Sequence, residues 1–329
     1  MKGLTDIDGI LVGHASPRDS LTGCTAILCE QGAVGGIDIR GSATGSTEWQ
    51  VLAPDHVTDR IHAICLAGGS AFGLEAASGV RNYLARKGTG FATRAGVVPL
   101  VPGAILFDLA LAKKGAYPDR EVGEAAAKAA TSEAVEEGNV GAGTGASVGK
   151  LFGMGRAMKS GIGSATVWLD GPFGGVRVSA LAAVNAFGDV LDPESGHILA
   201  GARKAPDSRE FADTATSMIR GLHRAAPFSP PDAGQGQNTT LAVVATNARL
   251  SKVQTTKLAQ MAGAGLARAI SPAWTMFDGD VTFALSLGTL ECELVALGAA
   301  AAHALSQSIV RAVQLAAPSG GLPGLLIPR

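Results

Sequence analysis

The chain has few aromatic and few charged residues. Of its 329 residues, aromatic side chains make up 5% and charged side chains 17%, whereas hydrophobic residues make up 47%. Most of the apolar mass therefore comes from small aliphatic side chains, which suit tightly packed layers. Disordered chains are instead rich in charge and poor in apolar residues. We expect a folded protein with a sizeable core.

An excess of charge of one sign is also lacking. Lys and Arg number 27 against 28 Asp and Glu, so we expect no nucleic-acid partner, which would need clustered basic residues. Residues 1–16 contain acids and glycines instead of an unbroken apolar stretch, so we expect no targeting segment and a cytoplasmic location. The apolar residues 294–317 include a histidine, an arginine and two glutamines. This predicts an amphipathic or buried helix and no membrane partner.

Cysteine pairs and metal-ligand motifs are missing. The four cysteines, Cys24, Cys29, Cys65 and Cys292, show no CxxC spacing, and the six histidines form no HExxH arrangement. Isolated cysteines in apolar segments are usually small buried hydrophobes, and zinc sites need ligands at characteristic spacings. We therefore expect no disulfide, no metal and no cofactor.

Glycine, by contrast, is abundant, and its 45 residues are scattered without a collagen period. Two glycine motifs resemble known sites and fail on detail. Thr144 stands where a phosphate loop has its first glycine, and Leu151 stands where that loop has its magnesium-binding hydroxyl. Residues 68–73 miss the spacing of a nucleophile elbow by one residue. For residues 68–73, a glycine turn between a strand and a helix, capped by Ser70, is the better explanation.

Hydrophobic periodicity predicts a mixed α/β fold. We predict strands over residues 22–29, 35–40, 61–66, 98–101, 164–170, 176–187, 239–246 and 281–287, and helices over residues 70–86, 122–137, 208–223, 251–269 and 294–317. Because these elements do not alternate regularly, we expect sheets stacked face to face with helices outside. The clearest break is residues 225–237, where two adjacent prolines precede polar and glycine residues.

Asn238-Thr239-Thr240 joins this turn-prone segment to a strongly β-type strand. The plain interpretation is a loop that ends at a sheet. The alternative is self-cleavage, in which the Thr239 hydroxyl attacks the Asn238 carbonyl and water hydrolyses the resulting ester. The new α-amine, with an ordinary pKa of about 7.7–8.0, could then act as a base toward the Thr239 hydroxyl. The residues alone leave both interpretations open.

Asp278-Gly279-Asp280 precedes a second strand. Two acids one residue apart at a strand entrance would project to the same face, where one could hold the amine or hydroxyl of Thr239 and the other orient the first. The alternative is a solvated turn, because Asp-Gly is a common turn pair. Proximity to Thr239 would decide between the two.

These motifs together resemble the aminopeptidase and D-esterase family, which includes β-aminopeptidases and nylon-oligomer hydrolases. The matching segments are Gly13-His14, Thr22-Gly23-Cys24-Thr25, residues 66–75 (LAGGSAFGLE), Val101-Pro102, Asn185, Asn238-Thr239-Thr240 and Asp278-Gly279-Asp280. The resemblance implies the four-layer αββα fold of N-terminal nucleophile hydrolases. It also implies a single domain cut into an α chain, 1–238, and a β chain, 239–329, which assemble as homo-oligomers of the αβ unit, often tetramers.

By position, the resemblance implies that Thr239 is the nucleophile and that Asp278 and Asp280 are the two acids of the nylon-oligomer hydrolases. It further implies a lysine near the active site, Lys150, and an asparagine for substrate binding or oxyanion stabilisation, Asn185. Lys150 could instead be a surface charge and Asn185 a residue that ends its strand. β-Aminopeptidases carry serine and glutamate in place of the two acids, so the nylon-hydrolase branch is favoured.

Phe107 stands where several relatives place an active-site tyrosine, so that hydroxyl is absent or supplied elsewhere. Phe72 and Phe107 are candidates for an apolar substrate-binding wall, as are Trp168 and Phe173, although large apolar side chains more often belong to the core. The expected substrate is a small or oligomeric linear amide, such as a β-peptide, an amino-acid amide or an aminohexanoate oligomer. The rival functions are an acyltransferase of the ornithine acetyltransferase type and an uncut scaffold.

Overall fold

The structure, a computed structural model of the chain, describes residues 1–17, 19–222 and 238–326. The helices are α1 (Glu75–Arg86), α2 (Arg120–Lys128), α3 (Thr214–Ile219), α4 (Lys252–Ala269) and α5 (Leu294–Gln314). The strands are β1 (Leu11–Ala15), β2 (Cys24–Ile39), β3 (Gly45–Thr47), β4 (Arg60–Ala67), β5 (Phe91–Thr93), β6 (Gly96–Val98), β7 (Gly103–Ile105), β8 (Ser147–Val148), β9 (Met158–Lys159), β10 (Ile162–Trp168), β11 (Arg177–Asn185), β12 (Asp189–Leu191), β13 (Ile198–Ala200), β14 (Thr239–Ala248), β15 (Ile270–Ser271) and β16 (Val281–Leu290).

A nine-stranded sheet organises the fold, in the order β10-β11-β14-β16-β2-β4-β7-β3, with β1 also paired to β2. The first half of β2 pairs with β1 and β4, and its second half pairs with β16. The register with β4 shifts between Leu28 and Ala33, where Gly32 adopts a positive φ of 81°. Such an irregularity bends a strand. One bent strand therefore replaces the two shorter strands predicted over residues 22–29 and 35–40.

Helices cover both outer faces of the folded sheet. α4 and α5 pack on the half that contains β10, β11, β16 and the end of β2, whereas α1 and α2 pack on β1, β4 and the start of β2. Between the two halves lies an apolar cluster that includes Leu66 of β4, Val243 of β14 and Phe283 of β16. The layers therefore follow the order helix, sheet, sheet, helix. This confirms the predicted αββα architecture.

The continuous apolar run of β14 follows from burial on both faces. Leu241 and Val243 point into the cluster between the sheet halves, whereas Ala242 and Val244 point toward the helices. Successive side chains of a strand alternate between faces, so a strand covered on both sides needs apolar residues at every position. The same double burial places the beginning of β14 deep in the protein.

Two predicted helices were too long. The helix predicted over residues 122–137 ends as α2 at Lys128, because the chain then turns away and Thr131 exchanges two backbone hydrogen bonds with Val12 of β1. The helix predicted over residues 208–223 is α3, which begins only at Thr214, where the Asp213 carboxylate caps it by accepting the Thr216 N–H. Residue 223 and the predicted break at 225–237 lie outside the described residues.

Within the described part of the chain, one helix, α5, is long and apolar enough to span a membrane by length and composition. Of the most apolar 18-residue stretch of α5, 56% is buried inside the protein. The helix packs on β10, β11 and α4. A buried core helix has the same length and composition as a membrane span, and α5 packs as a core helix.

The contact between α4 and α5 depends on a glycine. A Cβ at Gly265 would lie 2.0 Å from the Ala302 carbonyl oxygen, whereas a Cβ at Gly263 in the same helix would meet its nearest atom at an ordinary 3.5 Å. We therefore expect Gly265→Ala to lower the free energy of unfolding by about 1–3 kcal/mol, as overpacking does. The measurement is a urea unfolding curve for each variant.

Gly263→Ala is the matched control for this prediction. Alanine favours a helix over glycine by up to about 1 kcal/mol, and the added methyl group has room. We expect the control to be neutral or slightly stabilised. Equal stability of the two variants would contradict a tight helix contact at Gly265.

Candidate active site

The predicted nucleophile lies at the first position of a central strand. Thr239 begins β14, where it pairs with Asn185 at the end of β11, and Asn238 forms a bridge with Asp278 on the other side. Thr239 is only 3% exposed. Because β14 lies between β11 and β16, the residues that flank its start are brought together although they are distant in sequence.

The peptide bond between Asn238 and Thr239 has two hydrogen-bond donors on its carbonyl oxygen. The Thr239 hydroxyl donates to the Asn238 oxygen at 2.5 Å, and the Gly279 N–H donates to the same oxygen at 2.9 Å. The hydroxyl therefore lies beside the carbonyl that it would attack in self-cleavage. The Gly279 N–H lies where negative charge would develop, which is the arrangement of an oxyanion donor.

Gly279 owes its place in the site to its missing side chain. A Cβ at this position would lie 2.8 Å from the Thr239 hydroxyl oxygen and 2.7 Å from the Ala43 carbonyl oxygen. The neighbouring backbone is anchored from the same side, since the Ala43 N–H donates to the Asp278 carbonyl at 3.0 Å. The predicted Asp278-Gly279-Asp280 motif thus contributes its central glycine as well as its acids.

Both acids are buried and contact the segments around the nucleophile. Asp280 accepts the Thr240 N–H at 2.6 Å, and Asp278 accepts the Phe187 N–H at 3.0 Å and the Thr275 hydroxyl at 2.5 Å. Burial raises the pKa of both carboxyls. Burial and the charge of Asp278 together raise the pKa of Asp280 to about 8. A solvated turn is therefore excluded, and burial together with the neighbouring Asp278 charge favours the protonated form of Asp280.

Lys150 and Asn185 form a hydrogen-bonded pair beside these groups. The Lys150 ammonium donates to the Asn185 side-chain oxygen at 2.6 Å and to its carbonyl at 3.0 Å. The Ser147 N–H donates to the same side-chain oxygen at 3.1 Å. Burial lowers the pKa of Lys150 to about 7, against the opposing effect of Asp278 and Asp108. Lys150 is therefore not a surface charge, and Asn185 both ends its strand and lies in the site.

The two aromatic candidates differ in position. The backbone carbonyl of Phe107 accepts the Asn185 side-chain N–H at 2.9 Å, so residue 107 adjoins the site through its main chain. Phe72 is 60% exposed and stacks on Tyr117 with a centroid distance of 5.4 Å. A role for either ring in substrate binding stays a prediction.

Several groups at the site were not assigned a role from the sequence. They are the N–H groups of Gly279, Ser147 and Phe187, the hydroxyl of Thr275, and the buried side chains of Asp108 and Lys159. Backbone groups leave no mark on a sequence. The two buried charges do leave a weak one, because Asp108 is the one charge in the apolar segment AILFDLALA and Lys159 lies in the small, glycine-rich segment AMKSGIG.

Comparison with known proteins decides the family. The model of peptidase family S58 matches residues 2–325. The chain belongs to this family. An uncharacterised aminopeptidase of Mycobacterium tuberculosis is 38% identical, covering 98% of this chain and 96% of the relative. The 6-aminohexanoate-oligomer endohydrolase of Paenarthrobacter ureafaciens is 31% identical, covering 93% of this chain and 84% of the relative.

Solved structures support the same fold for this S58 peptidase. The β-aminopeptidase of a Burkholderia species aligns with a TM-score of 0.68 at 22% identity, covering 98% of this chain and 90% of that one. The L-aminopeptidase D-Ala-esterase/amidase of Ochrobactrum anthropi, described as a variant of the N-terminal nucleophile hydrolase fold, aligns with a TM-score of 0.66 at 17% identity over 99% and 91% of the two chains. The chain is thus an amide hydrolase with an N-terminal nucleophile hydrolase fold.

Gly279 offers a direct test of the site geometry. In Gly279→Ala, the methyl group would press on the Thr239 hydroxyl and the Ala43 carbonyl, so we expect amide hydrolysis to fall by roughly a hundredfold, as a misplacement of about 1 Å can cause. The measurement is kcat/KM on an amino-acid amide. Gly155→Ala is the control, because a Cβ there would have no neighbour within 4 Å. Equal activity of the two variants would contradict the contact.

Asp280 gives a stability prediction with a defined sign. An ordinary aspartate has a pKa of about 3.9, and the folded value is about 8. The folded state therefore holds a proton that the unfolded state has lost, and stability falls as the pH rises from about 4 to 8. Asp280→Asn removes this loss. We compare the Thr239→Ala protein, which stays uncut, with the same protein carrying Asp280→Asn. The free energy of unfolding of the double variant, relative to Thr239→Ala alone, should rise between pH 5 and pH 9 by about 1 kcal/mol or more.

Chemical unfolding at pH 5, 7 and 9 measures this difference. Asp192→Asn is the control, because backbone N–H groups of Ser195 and Glu194 lower the pKa of Asp192 and its charge is constant over this range. A relative stability of Asp280→Asn that does not change with pH would show that Asp280 is ionised in the folded protein.

Proposed function

We propose that this S58 peptidase cuts its own chain between Asn238 and Thr239 and then uses the freed Thr239 as its N-terminal nucleophile. One observation carries the proposal. The Thr239 hydroxyl lies 2.5 Å from the carbonyl oxygen of the bond to be cut, while the Gly279 N–H binds that same oxygen. An attacking hydroxyl and an oxyanion donor on one carbonyl are the two elements that acyl transfer needs.

Self-cleavage proceeds in two steps. The Thr239 oxygen attacks the Asn238 carbonyl carbon while its hydroxyl gives up a proton. The C–N bond then breaks, and the Thr239 nitrogen takes up that proton and leaves as an amine. This step produces an ester between Asn238 and the Thr239 oxygen. Water then hydrolyses the ester, which leaves a carboxylate on Asn238 and a free hydroxyl and amine on Thr239. The products are an α chain, 1–238, and a β chain, 239–329.

Turnover uses the new terminus as its own base. An α-amine has an ordinary pKa of about 7.7–8.0, so a useful fraction is neutral at physiological pH and can take the hydroxyl proton. The hydroxyl oxygen then attacks the carbonyl carbon of the substrate amide, the C–N bond breaks, and the α-ammonium returns its proton to the leaving amine. Water hydrolyses the resulting ester and releases the acid. Protonated Asp280 and the low-pKa Lys150 supply neighbouring groups that can exchange protons near pH 7.

The substrate class we propose is a small or oligomeric linear amide. The relatives of this chain include a 6-aminohexanoate-oligomer endohydrolase and an uncharacterised aminopeptidase, and the two acids at positions 278 and 280 favour the nylon-hydrolase branch. Phe107 and Phe72 are proposed as parts of an apolar wall for the substrate chain. We further propose that the αβ unit assembles into a homo-oligomer, with a tetramer as the expected state in native mass spectrometry.

Thr239→Ala tests the proposal directly. The variant lacks the attacking oxygen, so we expect one uncut chain of 33.0 kDa and no amide hydrolysis, whereas the parent protein should give two fragments, the smaller with an N-terminal threonine. Mass spectrometry of the intact proteins and an amide-hydrolysis assay make the measurement. Thr239→Ser, which keeps a hydroxyl, should still be cut.

Two outcomes would contradict the proposal. Normal cutting or retained hydrolysis in Thr239→Ala would remove Thr239 from the mechanism, and hydrolysis by a parent protein that stays uncut would remove the free amine. The acyltransferase alternative predicts turnover only with an amine acceptor such as ornithine. Release of free acid without an acceptor excludes it.

A further inference from the structure

Two buried charged residues near the site, Asp108 and Lys159, have no role in the reaction described above. Asp108 is 2% exposed and Lys159 is completely buried. Removing an ion from water costs several kcal/mol unless hydrogen bonds and opposite charge compensate. The contacts of the two residues identify what each one holds in place.

Asp108 directly follows Phe107 and joins two glycine segments. Its Oδ1 atom accepts the Gly69 N–H at 2.7 Å. Its side chain also packs closely on Gly68 and Gly145. A Cβ on Gly68 would lie 2.1 Å from the Asp108 Oδ2 atom, and a Cβ on Gly145 would lie 2.6 Å from it. Asp108 therefore fixes the main chain next to residue 107 and packs against the loop that precedes Lys150.

Lys159 holds the same loop from its other side. Its ammonium donates to the carbonyl oxygens of Gly143 at 3.1 Å, Ala146 at 2.8 Å and Ser160. Lys159 also pairs with Ser147 across the short β8–β9 ladder. Residues 143–147 are thus held between a buried carboxylate and a buried ammonium.

Both segments, the main chain at residue 107 and the 143–147 loop, form hydrogen bonds with Asn185. The Phe107 carbonyl accepts the Asn185 side-chain N–H, and the Ser147 N–H and the Lys150 ammonium donate to the Asn185 side-chain oxygen. The amide plane of Asn185 is therefore oriented from one side by the residue before Asp108 and from the other side by the loop that Lys159 binds.

The same pair acts on the charge of Lys150. Three charged groups of the described residues influence its pKa: Asp278 and Asp108 raise it and Lys159 lowers it, against a larger lowering by burial. Asp108 and Lys159 also favour each other's charged form. Removing the carboxylate and removing the ammonium should therefore move the pKa of Lys150 in opposite directions.

We propose that Asp108 and Lys159, two buried residues of opposite charge, are positioning residues that orient Asn185, and the Lys150 ammonium bound to it, for the amide-bond reaction. The inference rests on the proposed function, because Asn185 and Lys150 matter only if they serve the Thr239 reaction. Asp108 and Lys159 act through these two residues and are not themselves catalytic.

The test compares Asp108→Asn with Lys159→Gln. Asp108→Asn keeps the shape and the acceptor for Gly69 but removes the charge that acts on Lys150. We therefore expect kcat to fall by about tenfold to a hundredfold with little change in KM. In the pH dependence of kcat/KM, the inflection that reflects the titration of Lys150 should move to lower pH. Lys159→Gln should lower kcat as well and move that inflection to higher pH. Lys159→Arg, which retains the charge, should keep the parent profile.

Asp189→Asn is the matched control. Asp189 is another buried carboxylate that accepts backbone N–H groups, from Ala202 and Thr214, and it is not among the charges that act on Lys150. The control should lose stability and keep the parent pH profile. If a variant stays uncut, the pH dependence of the cleavage rate at residue 238 replaces hydrolysis as the readout.

The outcomes separate the two proposals. A parent protein that neither cuts itself nor hydrolyses amides would overturn the proposed function. The other case is a parent protein that does both. If the pH profiles of Asp108→Asn and Lys159→Gln then match the parent profile, or move in the same direction, the positioning role of Asp108 and Lys159 alone is overturned. Opposite movements of the two profiles support it, because a merely structural defect has no reason to change sign.

Discussion

The register of β14 between β11 and β16 is the constraint on which the site depends. It places Thr239 opposite Asn185 and Asn238 beside Asp278, and it leaves the Asn238 carbonyl within reach of the Gly279 N–H. A slip of one residue would turn every side chain of the strand to the other face. The double burial of β14 fixes this register, because apolar side chains fill both adjoining layers.

Burial also gives the site its electrostatic character. Five ionisable side chains lie together in the interior: Asp108, Lys150, Lys159, Asp278 and Asp280. The nearby carboxylates of Asp278 and Asp108 raise the pKa of Lys150 against the larger lowering that burial causes. Desolvation brings the pKa values of Asp280 and Lys150 to about 8 and about 7. Groups that titrate near neutral pH are suited to proton transfer at physiological pH.

Phe107 contributes to the site through its main chain. Residue 107 contacts Asn185 through its backbone carbonyl, and any side chain leaves that contact in place. The neighbouring Asp108 anchors the main chain through Gly69. The support of Asn185 therefore does not depend on which side chain stands at position 107.

Much of the fold was accessible from the sequence. Local periodicity identified β4, β10, β11, β14, α4 and α1, although α1 begins at Glu75 and not at Ser70, and the absence of βα alternation indicated stacked sheets. It failed for β2, where a glycine turn was expected, and for α2, which ends early because Thr131 pairs with Val12. These two errors come from pairings between distant segments, which a local pattern does not contain. It also failed for α3, which begins only where Asp213 caps it.

The sequence by itself determined the chemistry available: a threonine at a strand start, two acids around a glycine, a lysine and an asparagine. Tertiary structure alone decided which of these meet, and it added the donors that carry no sequence mark, the backbone N–H groups of Gly279 and Ser147. It also turned ordinary charges into groups that titrate near neutral pH. The reason is physical, since side-chain identity is written locally, whereas distance, burial and pKa depend on what the folded chain packs around each group.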